Sequence, residues 1–205
     1  MKYRFPAIIP AALNRLYIWI MVRWFRFRSI ILCKLWGVKT GRHVYFYGKT
    51  YIRTRGNGIT IGNNVRFNSF RRLNLVGLSN PTIIDTSAGG RITIGSNSGF
   101  SSIVMSSRSS IKIGDRVLVG GNTRIFDHDF HSTDYTARGT GNDFSKTKTK
   151  PIIIGNDCFI GTNAIILKGT TLGAGTIVAA GSVVFGLNAP AHSLVKGNPA
   201  VIIRK

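Results

Sequence analysis

The sequence contains no glutamate, and its acidic residues are seven aspartates between Asp85 and Asp157. Glutamate favours helices, so its absence beside 24 glycines argues against a mainly helical protein. The only cysteines are Cys33 and Cys158, too few for a disulfide framework and typical of a reducing compartment. Hydrophobic residues make up 43% of the 205 residues and charged residues 17%, a balance that argues against disorder.

Long apolar runs are also missing. Between Leu13 and Trp36 the longest uncharged apolar run extends from Leu16 to Val22, whereas a membrane-spanning helix needs about 20 such residues. Three arginines follow this run and no small-residue cleavage site does, so a secretory signal is not expected either.

Positive charge, in contrast, is abundant and uneven. Lys and Arg total 28, the formal net charge is +21, and residues 1–84 hold 15 basic residues and no acid. This asymmetry predicts a polyanionic partner, either nucleic acid or the anionic cytoplasmic face of a membrane.

The segment from Leu13 to Trp36 favours the membrane. On a helical wheel its basic residues fall within an arc of about 100°: Arg15, Arg23, Arg26 and Lys34. The opposite side is apolar: Ile20, Met21, Trp24, Phe25, Phe27, Ile31, Leu32 and Leu35. Arg28 falls among these residues and is expected to snorkel. The pattern, with its tryptophans, is typical of a helix lying in a membrane interface. The alternative is a helix whose apolar face packs on the rest of the protein.

A six-residue period occupies most of the remaining sequence. Aliphatic residues recur at six-residue steps: Ile154, Ile160, Ile166, Leu172, Val178 and Val184. Small residues recur four positions after the first five of them: Cys158, Ala164, Thr170, Thr176 and Ser182. Upstream, Ile113, Val119 and Ile125 share the spacing, as do Ile61, Phe67 and Leu73.

Neither a helix nor an amphipathic strand has a period of six. A coil with three short flat sides does, because each side turns one aliphatic residue inward and stacked coils pair in parallel. The sequence therefore predicts an all-β parallel β-helix over 43–205, preceded by a basic helical segment over 1–42.

These repeats resemble the hexapeptide-repeat acyltransferases, which are built on a left-handed parallel β-helix. The resemblance is closest to the maltose, galactoside and polysaccharide O-acetyltransferases. It implies acetyl-CoA as co-substrate and a homotrimer with each active site between two subunits.

The period is interrupted between Ile125 and Ile154 by a polar loop, 126–153, that holds two of the four histidines. A long excursion from a regular solenoid is commonly functional. Acetyl transfer to a hydroxyl needs a base, and histidine, with an ordinary pKa near 6.5, is suited to this role. The segment His131-Ser132-Thr133-Asp134 resembles the His-Pro-Leu-Asp catalytic segment of the family, with Ser in place of Pro. His128-Asp129-Phe130 resembles the His-Asp-Tyr of some polysaccharide acetyltransferases, so both histidines are candidate bases and His131 is preferred.

Zinc is the competing use of these histidines, as in β-helix carbonic anhydrases. His43 and His192 lack the spacing of such a site, so no metal is expected.

The resemblance also implies cofactor contacts. Thr162 follows the Ile-Gly step after the loop, and Ala179 to Ser182 match the segment that runs beside the pantetheine. The Thr-Lys pair that usually follows is Phe185-Gly186 here, and Lys168 and Lys196 are possible substitutes for its charge. The residues expected at acetyl-CoA are Thr162, Ala180, Gly181, Ser182, Lys168, Lys196 and Arg204.

The favoured hypothesis is an acetyl-CoA-dependent O-acetyltransferase whose acceptor is a glycan, such as a lipid-linked cell-surface polysaccharide precursor. Its N-terminal segment would hold it on the anionic inner face of the membrane, peripherally and in the cytoplasm. The alternatives are N-acetyl transfer to an amino sugar or xenobiotic, and a basic solenoid that binds membrane or nucleic acid without catalysis. No RNA-recognition signature is present, and nucleic acid is not expected as a partner. The acceptor hydroxyl and the length of the acyl donor remain open.

Overall fold

Short strands follow the six-residue steps of the sequence. The structure is a computed structural model that describes residues 5–56 and 58–203. In chain order the elements are α1 (Phe5–Leu35), β1 (Lys39–Thr40), β2 (Tyr45–Gly48), β3 (Thr50–Thr54), β4 (Ile59–Ile61), β5 (Arg66–Ser69), β6 (Thr82–Thr86), β7 (Arg91–Ile94), β8 (Gly99–Ser101), β9 (Val104–Ser106), β10 (Ser110–Ile113), β11 (Leu118–Val119), β12 (Arg124–Phe126), β13 (Ile152–Ile154), β14 (Phe159–Ile160), β15 (Ile165–Leu167), β16 (Thr171–Leu172), β17 (Ile177–Val178), β18 (Val183–Val184), β19 (Asn188–Ala189), β20 (Leu194–Gly197) and β21 (Ala200–Ile203).

The strands form three sheets, and the chain visits them in turn. Sheet A is β1-β4-β7-β10-β13-β16-β19, sheet B is β2-β5-β8-β11-β14-β17-β20-β21, and sheet C is β3-β6-β9-β12-β15-β18. Pairing between successive coils is parallel, and the hairpin of β20 with β21 is antiparallel. Each coil therefore has three sides, which meet at an A–B corner, a B–C corner and a C–A corner. The predicted parallel hexapeptide-repeat β-helix is confirmed.

The core lies along the axis of the coils. Each aliphatic residue at the six-residue spacing from Ile154 to Val184 is at most 1% exposed, and the small residues at the same spacing from Cys158 to Ser182 are equally buried. Nearer the N-terminus the inward column of sheet B is aromatic: Phe46 stacks on Phe67 at 4.4 Å between ring centroids, and Phe67 on Phe100 at 4.8 Å. Parallel register places the same position of every coil above the last, so like side chains stack.

Two excursions leave the coils. One spans 127–151 at the C–A corner, between β12 and β13; it lies inside the predicted loop 126–153, whose first residue and last two residues belong to these strands. The other spans 70–81 at the B–C corner, between β5 and β6, and the spacing did not predict it. Leu73, which the six-residue spacing placed in the core, lies on this second excursion and is 39% exposed.

Helix α1 packs on the first coil through one face. Phe25, Ser29 and Cys33 are buried there, and the Phe46 N–H donates to the Ser29 hydroxyl at 2.8 Å. Arg28 also faces the coil, where its guanidinium donates to the Gly48 and Thr50 carbonyl oxygens at 3.2 and 3.4 Å. The prediction that Arg28 snorkels among exposed apolar residues is therefore wrong.

The opposite face of α1 remains apolar and exposed. This outer face consists of Leu13, Leu16, Ile20, Trp24, Phe27, Ile31 and Leu35, which are 43–77% exposed. The helix thus packs on the protein and still presents a second apolar surface. Within the described residues no helix is both long and apolar enough to cross a membrane.

Candidate functional site

A buried carboxylate holds the base of the 127–151 loop. Asp127 accepts hydrogen bonds from the Ser107 hydroxyl at 2.6 Å and from the N–H groups of Arg108 and Ser109 at 2.8 and 2.9 Å. Burial raises the pKa of Asp127, but the hydrogen bonds from His128, Ser107 and the two amides outweigh it, so this pKa lies below its usual value. The loop therefore starts from an ionised, anchored residue.

His128 lies inside this anchor. Its side chain is 1% exposed, its Nδ1 is 3.1 Å from Asp127 Oδ1, and its ring is 4.8 Å from that of Phe130. Residue 128 also bridges to Thr149, so the two ends of the loop are held together. His128 is thus enclosed within its own chain.

His131 has the opposite environment. Its side chain is 73% exposed, and its Nδ1 lies 2.7 Å from Asp143 Oδ2. Asp143 also accepts from the N–H groups of Ser132 at 2.5 Å and Gly139 at 3.2 Å. The Ser132 amide and then the His131 ring lower the pKa of Asp143 to about 2.

An ionised carboxylate can only accept, so in the neutral form of His131 the proton is on Nδ1 and Nε2 has a free lone pair. An exposed imidazole in that tautomer can remove a proton from a hydroxyl. The sequence analysis did not identify Asp143 as a partner of His131, because the two residues lie twelve positions apart in the same loop.

Further contacts make the loop rigid. Asp134 accepts from the Thr136 hydroxyl and N–H and from Lys146 at 3.0 Å, and these bonds hold its pKa far below the usual range. The Arg138 guanidinium donates to the Ser132 carbonyl at 3.0 Å. Arg108 of the coil lies 3.9 Å from the ring centre of Phe144. The imidazole of His131 is therefore supported by a structured segment.

Lys168 lies at the C–A corner next to this loop. It forms an ion pair with Asp129 and lies 4.9 Å from the ring centre of Phe185 in the following coil. Its charge, predicted to face a CoA phosphate, is engaged by the loop within this chain.

Four of the other predicted cofactor residues, Thr162, Ala180, Gly181 and Ser182, lie at or beside the B–C corner. Thr162 and Ala180 occupy equivalent positions in successive coils, since Ile160 pairs with Val178 and the Gly181 N–H donates to the Thr162 carbonyl oxygen at 2.9 Å. Ala180 and Gly181 are exposed, whereas Ser182 is buried and its hydroxyl accepts from the Gly197 N–H at 3.2 Å. Because the whole residue is 1% exposed, Ser182 presents almost no surface to a ligand.

Two predicted cofactor residues lie near the C-terminus. Lys196 is exposed on β20, in the last coil. Arg204 lies outside the described residues.

The excursion 70–81 packs along the same B–C corner. The Ser79 N–H donates to Asn122 Oδ1 at 2.8 Å, and Asn122 Nδ2 donates to the Gly77 carbonyl at 3.0 Å. Val76 and Leu78 lie over Gly121, where an added Cβ would be 3.2 Å from each side chain. The sequence signals that could have revealed this excursion are the Gly77 and Asn80-Pro81 turn residues.

Metal ligands do not gather in this region. Over 5–56 and 58–203, no group of three His, Cys, Asp or Glu residues is placed to hold a metal ion. His128 and His131 each face a different aspartate, so their ring Nδ1 atoms do not converge.

Comparisons with known proteins agree with this architecture. Residues 151–185 match the family described as "Hexapeptide repeat of succinyl-transferase". The chain is 30% identical over 186 residues to the putative colanic acid biosynthesis acetyltransferase WcaF of Escherichia coli K12, covering 88% of this chain and 76% of WcaF. It is 31% identical over 105 residues to the putative lipopolysaccharide biosynthesis O-acetyl transferase WbbJ of the same organism, covering 49% of this chain and 53% of WbbJ.

Among solved structures, it resembles the hexapeptide-repeat acetyltransferase VCA0836 of Vibrio cholerae complexed with acetyl coenzyme A. The TM-score is 0.50 and the identity 28%, over 86% of this chain and 75% of that one.

Proposed function

Because the chain belongs to the hexapeptide-repeat acetyltransferase family, we propose that it transfers an acetyl group from acetyl-CoA to a hydroxyl of a glycan. The observation that carries the proposal is the exposed His131 imidazole, held through Nδ1 by ionised Asp143 at 2.7 Å. The names of WcaF and WbbJ support a cell-surface polysaccharide acceptor and O-acetyl transfer.

His131 would act as the general base. Its Nε2 takes the proton of the acceptor hydroxyl as the oxygen attacks the thioester carbonyl carbon. The carbon–sulfur bond then breaks, and the CoA thiolate takes the proton back from Nε2, so the imidazole is regenerated. Asp143 keeps the proton on Nδ1 and stabilises the imidazolium. His128 is the second candidate; with its side chain 1% exposed, its role in the proposal is to anchor the loop.

The B–C corner supports acetyl-CoA binding. Thr162, Ala180 and Gly181 present small side chains and backbone there, which suits close approach of a pantetheine chain. Lys196 and Arg204 are proposed to meet the phosphates. Lys168 would bind a phosphate only if it first released Asp129.

This arrangement supports a homotrimer. In one chain sheet C separates the B–C corner from the His131 loop at the C–A corner. The strands of sheet C have two to five residues, and a three-residue strand is about 10 Å long. A general base must lie within hydrogen-bond reach of the proton that it removes, so this distance is too long for a site within one chain. A second subunit could bring its loop to that corner. Outward residues Leu118, Phe159 and Ile177 form an exposed apolar column on sheet B beside it, and such a column suits burial between subunits. We also propose the left-handed coil sense of the family.

The outer face of α1 supports attachment to an anionic membrane. Its exposed apolar residues lie beside the basic arc of Arg15, Arg23, Arg26 and Lys34, all exposed. Apolar burial plus attraction to anionic headgroups is the basis of interfacial binding. Residues 1–42 are thus proposed to hold the enzyme at the inner face of the membrane, and 43–205 to carry the catalytic β-helix.

Release of CoA thiol tests the proposal. Wild-type protein with acetyl-CoA and a lipid-linked polysaccharide precursor is expected to release thiol, and His131→Ala to lower kcat by about 10²-fold or more. His128→Gln, which keeps a polar group at the anchor, is expected to lose less. Mild base should remove the acetyl group from the product, because an ester is labile and an amide is not. Thiol release that His131→Ala leaves unchanged, or a base-stable product, would contradict the proposal.

A further inference from the structure

A basic cavity lies between α1 and the 70–81 excursion, apart from the His131 loop. Its volume is about 610 Å³, and its lining includes Arg28, Lys49, Arg71 and Asn80. No carboxylate lines it within the described residues. Three cations around one cavity without an acid create a positive potential that favours an anion.

Among the described residues no carboxylate pairs with Arg28. The residue is half-buried, and its guanidinium donates to two backbone carbonyl oxygens, those of Gly48 and Thr50. Removing a charge from water without a counter-ion is costly. An anion in the cavity would offset that cost, and guanidinium groups form bidentate hydrogen bonds with phosphate oxygens.

A second polar group lacks a partner there. Asn80 Nδ2 is buried and has no hydrogen-bond partner among the described residues. Buried amide donors are normally satisfied. An acceptor oxygen from a ligand would supply the missing bond.

We propose that this cavity binds the diphosphate of the glycan acceptor, an inference that rests on the proposed function. The cavity lies at the B–C corner of the first coils, beside α1, and the 70–81 excursion continues along that corner to Gly121. Strand β14, which leads to Thr162, lies three coil steps from β5 in sheet B. At ~4.8 Å per step this distance is about 14 Å. A saccharide attached to a diphosphate in the cavity would therefore reach the corner where the thioester is proposed to lie.

Equilibrium binding without acetyl-CoA tests this. The full chain is added to phosphatidylcholine vesicles that contain polyprenyl diphosphate, or phosphatidylglycerol at equal charge. We expect at least about tenfold tighter binding to the diphosphate vesicles. Lys49→Ala with Arg71→Ala, both at exposed positions, should abolish this preference.

Lys39→Ala with Arg91→Ala is the matched control. These exposed cations line a different basic cavity, and their removal changes the net charge equally, so the preference should persist. Equal loss in both double variants, or a preference that survives in Lys49→Ala with Arg71→Ala, would overturn the proposal.

A soluble arm separates the two sources of a diphosphate. Inorganic pyrophosphate is added to the wild-type protein and to Lys49→Ala with Arg71→Ala. If only the wild-type protein binds it, and the wild-type protein shows no preference for polyprenyl diphosphate vesicles, the ligand of the cavity is a soluble diphosphate. Thiol release with a phosphate-free acceptor, unchanged in Lys49→Ala with Arg71→Ala, would show that the acetyltransferase proposal holds independently.

Discussion

The two loop histidines differ in exposure, although each has a carboxylate at Nδ1. His131 is 73% exposed and His128 1%. Both are histidine–aspartate pairs, so the surrounding chain decides which imidazole an acceptor can reach. Ser107, at the preceding turn of the same corner, fixes Asp127 and with it His128, whereas Asp143 lies in the loop and keeps His131 at the surface.

Replacing Asp143 tests this difference at the level of one residue. In Asp143→Asn the amide cannot hold the proton on Nδ1 as a carboxylate does, so we expect kcat to fall by about 10²-fold with little change in KM for acetyl-CoA. Steady-state kinetics measure both constants. Asp134→Asn, a matched change in the same loop, should affect kcat less; equal losses would show that the effect is structural.

At the level of elements, α1 has two apolar faces, one buried on the first coil and one exposed. Phe25 packs against Phe70 and Tyr47 and is 7% exposed, whereas the neighbouring Trp24 is 53% exposed. Phe25→Ala is expected to lower the free energy of unfolding by about 3–5 kcal/mol, as for other buried aromatics. Chemical denaturation measures this loss.

Trp24→Gln with Phe27→Gln should leave that free energy nearly unchanged and weaken binding to anionic vesicles, because both side chains lie on the outer face. Vesicle co-sedimentation measures the binding. Undiminished binding would remove the outer face from the membrane proposal.

The loop should respond to acid. The pKa of Asp143 is about 2 in the folded protein and about 3.9 in an unfolded chain. A lowered folded pKa means that its contribution to stability is complete above about pH 4 and is lost as pH falls through about 2. Limited proteolysis with an acid-active protease should show cleavage in 127–151 increasing over that range. Asp143→Asn should be cleaved at a rate that varies less with pH.

For the whole molecule, the separation of the His131 loop from the B–C corner predicts complementation between chains. His131→Ala lacks the proposed base, and Ala180→Trp should block the corner. If each site uses the loop of one chain and the corner of another, mixed trimers of the two inactive variants should recover about one quarter of the wild-type activity. Refolding equal amounts together and measuring thiol release tests this. No recovery in demonstrably mixed trimers would place each site within one chain.

The fold was predictable from the sequence because every coil repeats a local requirement: one aliphatic residue inward and one small residue at the corner. Ile154 through Val184 satisfy it without interruption. The candidate bases were predictable because the loop interrupts that period. The 70–81 excursion was not, because Leu73 occurs at the expected spacing while its backbone has left the coil.

The sequence by itself determined the parallel coils, the place of the loop and the uneven charge, since these depend on spacing and composition. Only the tertiary structure decided that His128 is buried, that Asp143 holds His131, that Arg28 turns inward and that a basic cavity forms beside α1. Each of these depends on groups far apart along the chain, such as Asp127 with Ser107 or α1 with the 70–81 excursion, and folding alone brings them together.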